Sequence, residues 1–295
     1  MKSAKILILL LTILFSAGFV FSQGAPDTAE IQKAIEKDGC TVADKDRVRI
    51  CKFDYKFKGK LVEALSFRPV TDGKYPAVML VPGYQGTPQR YINLGKIFAR
   101  SGFAAMAVGT PGFGKTELEP DFLGKNTIDA FIEGYRKFKE ADFVDTKKIG
   151  IYGYSRGAIA VSLMVPRLDD VKAAVFGGGV YDMKKAYEEV TIEGIKQNIE
   201  KETGATDAAF RERSSIYKVG DMNCPILIIH GEKDINVPVN QAYLLRDELK
   251  KHDKEFEIKI YEGADHSLSG VNAILDVFDF FSRKLLGKSA KPQPA

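Results

Sequence analysis

Lys148-Ile149-Gly150-Ile151-Tyr152-Gly153-Tyr154-Ser155-Arg156-Gly157 joins a short apolar run to a G-x-S-x-G pentapeptide. A serine lifted on a tight strand-to-helix turn projects its hydroxyl out of a sheet, and the crowding of that turn demands small residues on either side. Gly153 and Gly157 supply them. The residues that follow, 158–164, are almost all apolar and read as a buried helix, so strand, turn and helix stand in the order the motif needs. A bare G-x-S-x-G arises readily by chance in a chain with 27 glycines, and it is the neighbours that give this one meaning.

Outward from the turn, apolar strands alternate with helical segments. Strands are expected at 77–81, 103–108, 148–152, 171–176, 225–230 and 256–261, and helices at 89–101, 127–141, 156–165, 239–251 and 271–286. Continuous apolar strands separated by helices imply an α/β fold, a mostly parallel sheet of about eight strands covered on both faces. Ahead of it, 50–58 and 61–68 alternate about Lys58-Gly59-Lys60 and predict a β-hairpin. Residues 181–223 lie between two strands and are helical and polar in character; an insertion there predicts a helical cap that shapes the pocket.

The ends carry different signals. Residues 1–22 read as a signal peptide: Lys2 and Lys5 precede an apolar stretch at 6–20, and Val20-Phe21-Ser22 suits cleavage before Gln23. The apolar stretch is shorter than the roughly 20 residues a spanning helix needs. A secreted or periplasmic protein without stable membrane association is therefore expected. Residues 23–49 then form an N-terminal leader, 50–286 a single catalytic domain and 287–295 a tail. A composition of 45% hydrophobic and 28% charged residues is that of an ordinary globular chain with ample core material. Losing Lys2 and Lys5 with the signal peptide takes the formal charge from +4 to +2, a balance that argues against a nucleic-acid partner. In an oxidising compartment Cys40 and Cys51 could close a small loop as a disulfide, while Cys224 reads as a core thiol. Three cysteines without C-x-x-C spacing offer no metal site.

A serine hydroxyl is a poor nucleophile until a base takes its proton, and the base needs a carboxylate to fix its tautomer. The chain has three histidines. His252 sits in a charged helix end and reads as solvated, and His230 ends an apolar strand where a structural role is expected. His266 lies in Glu262-Gly263-Ala264-Asp265-His266-Ser267, a loop beyond the last strand, which is where a mobile base belongs. For the acid, Asp234 leaves the preceding strand in His230-Gly231-Glu232-Lys233-Asp234. Asp265, adjacent to the histidine, would point the wrong way, and Glu232 is too near the strand end. Ser155, Asp234 and His266 then follow the order Ser…Asp…His on loops at one edge of the sheet. An oxyanion needs two backbone N–H groups, assigned to Arg156 after the serine and Tyr84 in Pro82-Gly83-Tyr84-Gln85-Gly86.

With these parts the chain resembles the prolyl oligopeptidase and dienelactone hydrolase-like branch of the α/β-hydrolases over residues 50–286. The motifs that carry the resemblance are Lys74-Tyr75-Pro76, Val144-Asp145-Thr146-Lys147-Lys148-Ile149-Gly150, Gly153-Tyr154-Ser155-Arg156-Gly157 and His230-Gly231 with Asp234, Val237 and Pro238. Where relatives often have His-Gly in the oxyanion loop this chain has Pro82-Gly83, and their Asp-x-Arg-Gly-x-Gly segment is here Gly109-Thr110-Pro111-Gly112-Phe113-Gly114. The resemblance implies a serine hydrolase of esters or short peptides that works without a cofactor. Relatives that act on peptides usually carry a β-propeller ahead of the hydrolase domain, and 23–49 is too short to hold one. A carboxylic esterase is therefore the favoured reading, with a dipeptidyl or acylaminoacyl peptidase-like enzyme as the alternative and a silent binding protein on the same fold as a third.

One motif points elsewhere. Gly109 to Thr116 matches G-x-x-x-x-G-K-[ST], the phosphate-cradling loop. That function needs Lys115-Thr116 to open a helix, but Pro120 follows within about one turn and Glu117, Glu119 and Asp121 would repel a triphosphate. Nucleotide binding is not expected.

Overall fold

The computed structural model describes residues 25–43, 47–289 and 291, so the expected signal peptide, 1–22, lies outside the described residues, as does most of the tail. The chain runs α1 (Ala25–Asp38), β1 (Cys40–Ala43), β2 (Val48–Lys52), β3 (Tyr55–Phe57), β4 (Lys60–Val62), β5 (Ala64–Pro69), β6 (Tyr75–Val81), α2 (Ile92–Arg100), β7 (Ala104–Val108) and α3 (Lys125–Lys139). It continues through β8 (Val144–Tyr154), α4 (Arg156–Met164), β9 (Ala173–Gly177), α5 (Met183–Glu189), α6 (Glu193–Thr203), α7 (Asp207–Glu212), β10 (Ile226–Gly231), α8 (Asn240–Lys251), β11 (Phe256–Tyr261) and α9 (Ala273–Leu286).

Nine strands form one sheet in the order β1-β2-β5-β7-β6-β8-β9-β10-β11. From β7 to β11 the neighbours are parallel, and β5, β2 and β1 add antiparallel pairs at one edge. This is the expected α/β-hydrolase architecture. The ninth strand comes from residues expected as a leader: β1 pairs with β2, and Ile31 and Ile35 of α1 are buried in the core. Domain and leader are thus continuous from α1 onward. Cys40 and Cys51 are register partners on these strands and are joined by a disulfide, with S–S 2.06 Å.

The expected hairpin also resolves differently. Its tip, Lys58-Gly59, has both residues at positive φ (50° and 78°), the two-residue turn that matches strand twist. Only β3 and β4 pair there, as a separate ribbon, while β2 and β5 join the main sheet. The divide is made at Asp54, whose Oδ1 accepts the Ala64 N–H in place of a ladder partner.

Alternation along each strand divides the core into two layers. In β6, Ala77, Met79 and Val81 face the layer that holds Ile128, Ile159 and Leu245 of α3, α4 and α8. Val78 and Leu80 face the layer that holds Phe98 of α2, Val277 and Phe281 of α9, and Ile35 of α1. Strands buried on both faces need no polar alternation, which is why β7 is apolar throughout.

The order places β6 between β7 and β8. From β6 the chain first builds outward to β7, then crosses back to β8 and builds the other way. That reversal opens a crevice beyond the carboxyl ends of β6 and β8, the usual ligand position in open α/β sheets. Residues 82–86 and Ser155 leave the sheet at this point.

Helix α2 approaches β5 closely at Gly95, where an added Cβ would lie 2.4 Å from the Phe67 ring. Replacing a helical glycine by alanine ordinarily stabilises by about 1 kcal/mol. Here overpacking reverses the sign, and Gly95→Ala should destabilise by about 1–3 kcal/mol in urea unfolding; a stabilised variant would show that the helix shifts freely.

Candidate active site

Ser155 sits between β8 and α4 with φ 55° and ψ −126°, a conformation that L-residues seldom adopt. The flanking glycines are required by space. A Cβ on Gly153 would lie 2.2 Å from the Gly157 carbonyl oxygen, and one on Gly157 would lie 2.2 Å from that of Val81. The Ser155 N–H donates to Gly177 O at 2.7 Å, fastening the turn to β9.

The three candidate triad residues come together from different strand ends. His266 Nε2 is 2.9 Å from Ser155 Oγ, and His266 Nδ1 is 2.6 Å from Asp234 Oδ2. An ionised carboxylate can only accept, so Nδ1 carries the ring proton and Nε2 presents its lone pair to the serine hydroxyl. Asp234 Oδ1 accepts the N–H groups of Asn236 (2.9 Å) and Val237 (2.8 Å). Burial alone would raise this carboxyl, but hydrogen bonds from His230 and His266, helped by the Val237 N–H, hold it at about 2.

The competing acids are engaged elsewhere. Glu232 accepts the Gly263 N–H, and Asp265 accepts from Ser267 and Ser269 within its own loop. His252 lies 3.3 Å from Glu248 at the end of α8. His230 is fully buried, with Nε2 2.9 Å from Val237 O and 3.3 Å from Asp234 Oδ2. It thus supports the acid as well as ending its strand, which its place in the sequence did not reveal. Tyr154 was also missed: its hydroxyl donates to His266 O at 2.8 Å and pins the histidine loop to the serine turn.

Tyr84 and Arg156 lie on the cavity wall with Ser155. Arg156 opens α4, where first-turn N–H groups have no acceptor within the helix. The Tyr84 loop is brought in by Gly83, at which a Cβ would lie 3.5 Å from Ser155 Cβ. The Arg156 guanidinium lies over the rings of Tyr84 (4.4 Å) and Phe122 (4.2 Å) and pairs with Glu202 of α6 at 3.4 Å. Glu202 also accepts the Phe122 N–H at 2.9 Å. Arginine suits this place because its planar cation can stack and pair at once.

The cavity in front of Ser155 and His266 measures about 770 Å³. Residues 181–223 form one wall through Met183, Ala186, Val190, Ile192, Ile195 and Ile199. Their base is secured by Gln241 Oε1, which accepts the N–H groups of Tyr181 and Asp182, each at 2.9 Å.

Gly109 to Thr116 forms no phosphate cradle. Helix α3 starts only at Lys125, the Thr116 hydroxyl accepts the Glu63 N–H at 3.1 Å, and Lys115 pairs with Glu36 at 3.2 Å. Glu63 in turn accepts the Lys115 N–H and the Gln89 side-chain amide.

A family model described as prolyl oligopeptidase family matches residues 102–288. The chain belongs to the prolyl oligopeptidase family. As a member of it, the chain is 31% identical over 229 residues to the uncharacterized peptidase YtmA of Bacillus subtilis, covering 74% of this chain and 86% of that protein. Three other curated relatives, two of them dipeptidyl-peptidases, are matched over 32% to 34% of their own length. Among solved structures, a Pyrococcus horikoshii acylaminoacyl peptidase superposes with a TM-score of 0.69 at 19% identity, over 84% of this chain and 43% of that one. An acetyl xylan esterase from Paenibacillus sp. R4 gives 0.71 at 15% identity, over 88% and 93%. Likenesses at these identities establish the fold. Membership of a serine peptidase family makes the protein a hydrolase, and it backs the peptidase alternative better than the esterase the sequence favoured.

Two outcomes test the geometry. The folded Asp234 carboxyl holds its proton less tightly than the ordinary value of 3.8, so its contribution to stability is complete above about pH 4 and is lost as pH falls through about 2. Asp234→Asn should flatten stability between those limits in acid titrations and lower kcat by about 10⁴ with little change in KM; an unaltered kcat would discount the acid. Glu202→Gln keeps an acceptor for Phe122 and removes the charge facing Arg156. Steady-state kinetics should give a raised KM with a smaller change in kcat, whereas an unchanged KM would mean the cap is held without the pair.

Proposed function

We propose that this protein is a serine hydrolase of the peptidase type, cleaving the acyl–nitrogen bond of short peptides through an acyl-enzyme on Ser155. The observation that carries the reading is the continuous series Asp234–His266–Ser155, hydrogen-bonded at 2.6 and 2.9 Å and opening on a cavity. Ser155 Oγ bonds to the carbonyl carbon while His266 Nε2 takes the hydroxyl proton. The developing oxyanion is received by the Tyr84 and Arg156 N–H groups. The carbon–nitrogen bond then breaks, with the proton passing from His266 to the leaving amine. Water, deprotonated by His266, adds to the acyl-enzyme, and Ser155 leaves with that proton as the carboxylic acid is released.

Family membership and a relative called a peptidase support nitrogen over oxygen as the leaving atom. That relative is matched over 86% of its own length, so shortness gives no ground for preferring an ester. A volume of about 770 Å³ suits a short substrate enclosed by the cap better than a folded protein. The proposal includes export: the Cys40–Cys51 disulfide suits an oxidising compartment, as does the apolar stretch at 6–20.

Purified protein should release nitroaniline from short peptidyl p-nitroanilides and react with a fluorophosphonate probe. Ser155→Ala should lose both, with kcat down by at least about 10⁴ and the circular dichroism unchanged. Turnover retained by that variant would refute the mechanism; activity on p-nitrophenyl esters with none on any anilide would return the protein to the esterases.

A further inference from the structure

The cavity in front of Ser155 wraps over the carboxyl edge of the sheet, with a lobe on each face. Met183, Ala186 and Ile199 of the cap wall belong to the layer of α3, α4 and α8. Tyr152, Tyr154 and Ile274 belong to the opposite layer, where Tyr91 and Leu94 pack beside them. The loop of His266 is anchored in this second layer through Ala264 and Leu268. Ser155 stands between the two lobes.

Phenols mark the second lobe. Tyr152 has Tyr91, Tyr154 and Tyr261 as neighbours, and two of the four are committed: Tyr154 donates to His266 O at 2.8 Å and Tyr261 to Asp276 Oδ2 at 2.7 Å. Tyr91 and Tyr152 line the cavity, and neither hydroxyl has a hydrogen-bond partner among the described residues. Tyr152 is only 1% exposed. Its hydroxyl nevertheless opens on the cavity, unlike those of Tyr181 and Ser215, which are sealed away without partners. A polar group so deeply placed ordinarily finds a partner, and one that faces a binding space is satisfied by what enters. Burial and the neighbouring phenols push the Tyr152 hydroxyl well upward, and burial does the same to Tyr91, so both remain neutral donors near neutrality.

The course of the reaction decides which part of a substrate enters this lobe. His266 returns its proton to the leaving nitrogen, so that nitrogen and what it carries lie on the histidine side, and the acyl group lies toward the cap. We infer that the lobe of Tyr91 and Tyr152 is the leaving-group subsite, where the Tyr152 hydroxyl, seconded by that of Tyr91, donates to the carbonyl oxygen of the amino-acid residue whose nitrogen departs. The inference rests on the peptidase reading for the identity of that residue. A simple amine or alcohol offers no such acceptor beside its leaving atom.

Acyl transfer tests the subsite from the product side. Wild-type protein and Tyr152→Phe are acylated with a peptidyl thiobenzyl ester in the presence of glycinamide or ethylamine, and the hydrolysis and transfer products are separated by chromatography. In transfer the amine nitrogen bonds to the acyl carbon, His266 takes the amine proton, and that proton passes to Ser155 Oγ as the carbon–oxygen bond breaks. The preference for glycinamide over ethylamine should fall about fivefold in Tyr152→Phe. Comparing the same two amines on both proteins cancels their different basicity and any effect of the variant on acylation. Should circular dichroism show Tyr152→Phe unfolded, Tyr91→Phe takes its place, with a fall of about twofold expected. An unchanged preference in the folded variant, or no transfer to glycinamide by the wild-type protein, overturns the inference. Hydrolysis of an N-acyl dipeptide amide by the wild-type protein tests the reading beneath it: a preference lost in the variant with no dipeptide amide cleaved leaves the subsite standing and removes the peptidase assignment.

Discussion

The backbone crowding around Ser155 is the constraint on which the rest of the site depends. Gly157 has no room for a side chain because Val81 O and Pro82 O stand where it would go, and Gly153 has none because Gly157 stands there. That mutual contact welds the ends of β6 and β8 and forces the serine to φ 55°. The strain is sustained by the sheet, whose parallel register is fixed by strands buried on both faces. In return, one turn points Oγ toward the crevice and sets the Arg156 N–H at a helix start beside it. The loop of Tyr84 is drawn to the same point by Gly83. A looser turn would leave the hydroxyl, the two amides and the crevice without a common origin.

Around this origin the acid–base pair is organised by exclusion of alternatives. A carboxylate buried like Asp234 would ordinarily prefer its proton, and a neutral acid could not orient an imidazole. Four hydrogen-bonding groups reverse that preference, two of them backbone N–H groups in the same turn and two histidine rings. The histidine loop is in turn held by Tyr154, the residue before the serine, so donor and base move as one piece. Pre-organisation of this kind leaves little rearrangement for the reaction itself.

What could be read in the chain and what could not divide along sequence distance. The strand, turn and helix about Ser155 occupy neighbouring residues, and the apolar strands on both sides carry their own pattern, so the fold and the three candidate residues that converge in it were legible from local signals. The edge strand β1 was not: its burial alternates, but the polar Thr41 is half-buried and the apolar Val42 is exposed, so residue type carries no matching alternation to read. Glu202 and Arg156 lie 46 positions apart and meet only because the cap folds back over the crevice. The support that His230 gives to Asp234 depends on a loop returning past its own strand end, a matter of tertiary path. The nature of the leaving group was least legible, because an ester and an amide meet the same serine, base and oxyanion donors.

The pairing of Arg156 with Glu202 also links the two halves of the site. The residue whose amide is assigned to the oxyanion carries the side chain that pairs with the cap, and its guanidinium is clasped between an aromatic ring from the Tyr84 loop and one from the segment at Phe122. Both amides assigned to the oxyanion are therefore attached to elements that one cation holds together. A substrate that spreads the cap must disturb this clasp, and with it the alignment of the donors; one that fits beneath it leaves them in place. On the mechanism proposed above, discrimination by size would act on the transition state as well as on binding, since donor alignment is worth most when the negative charge has formed.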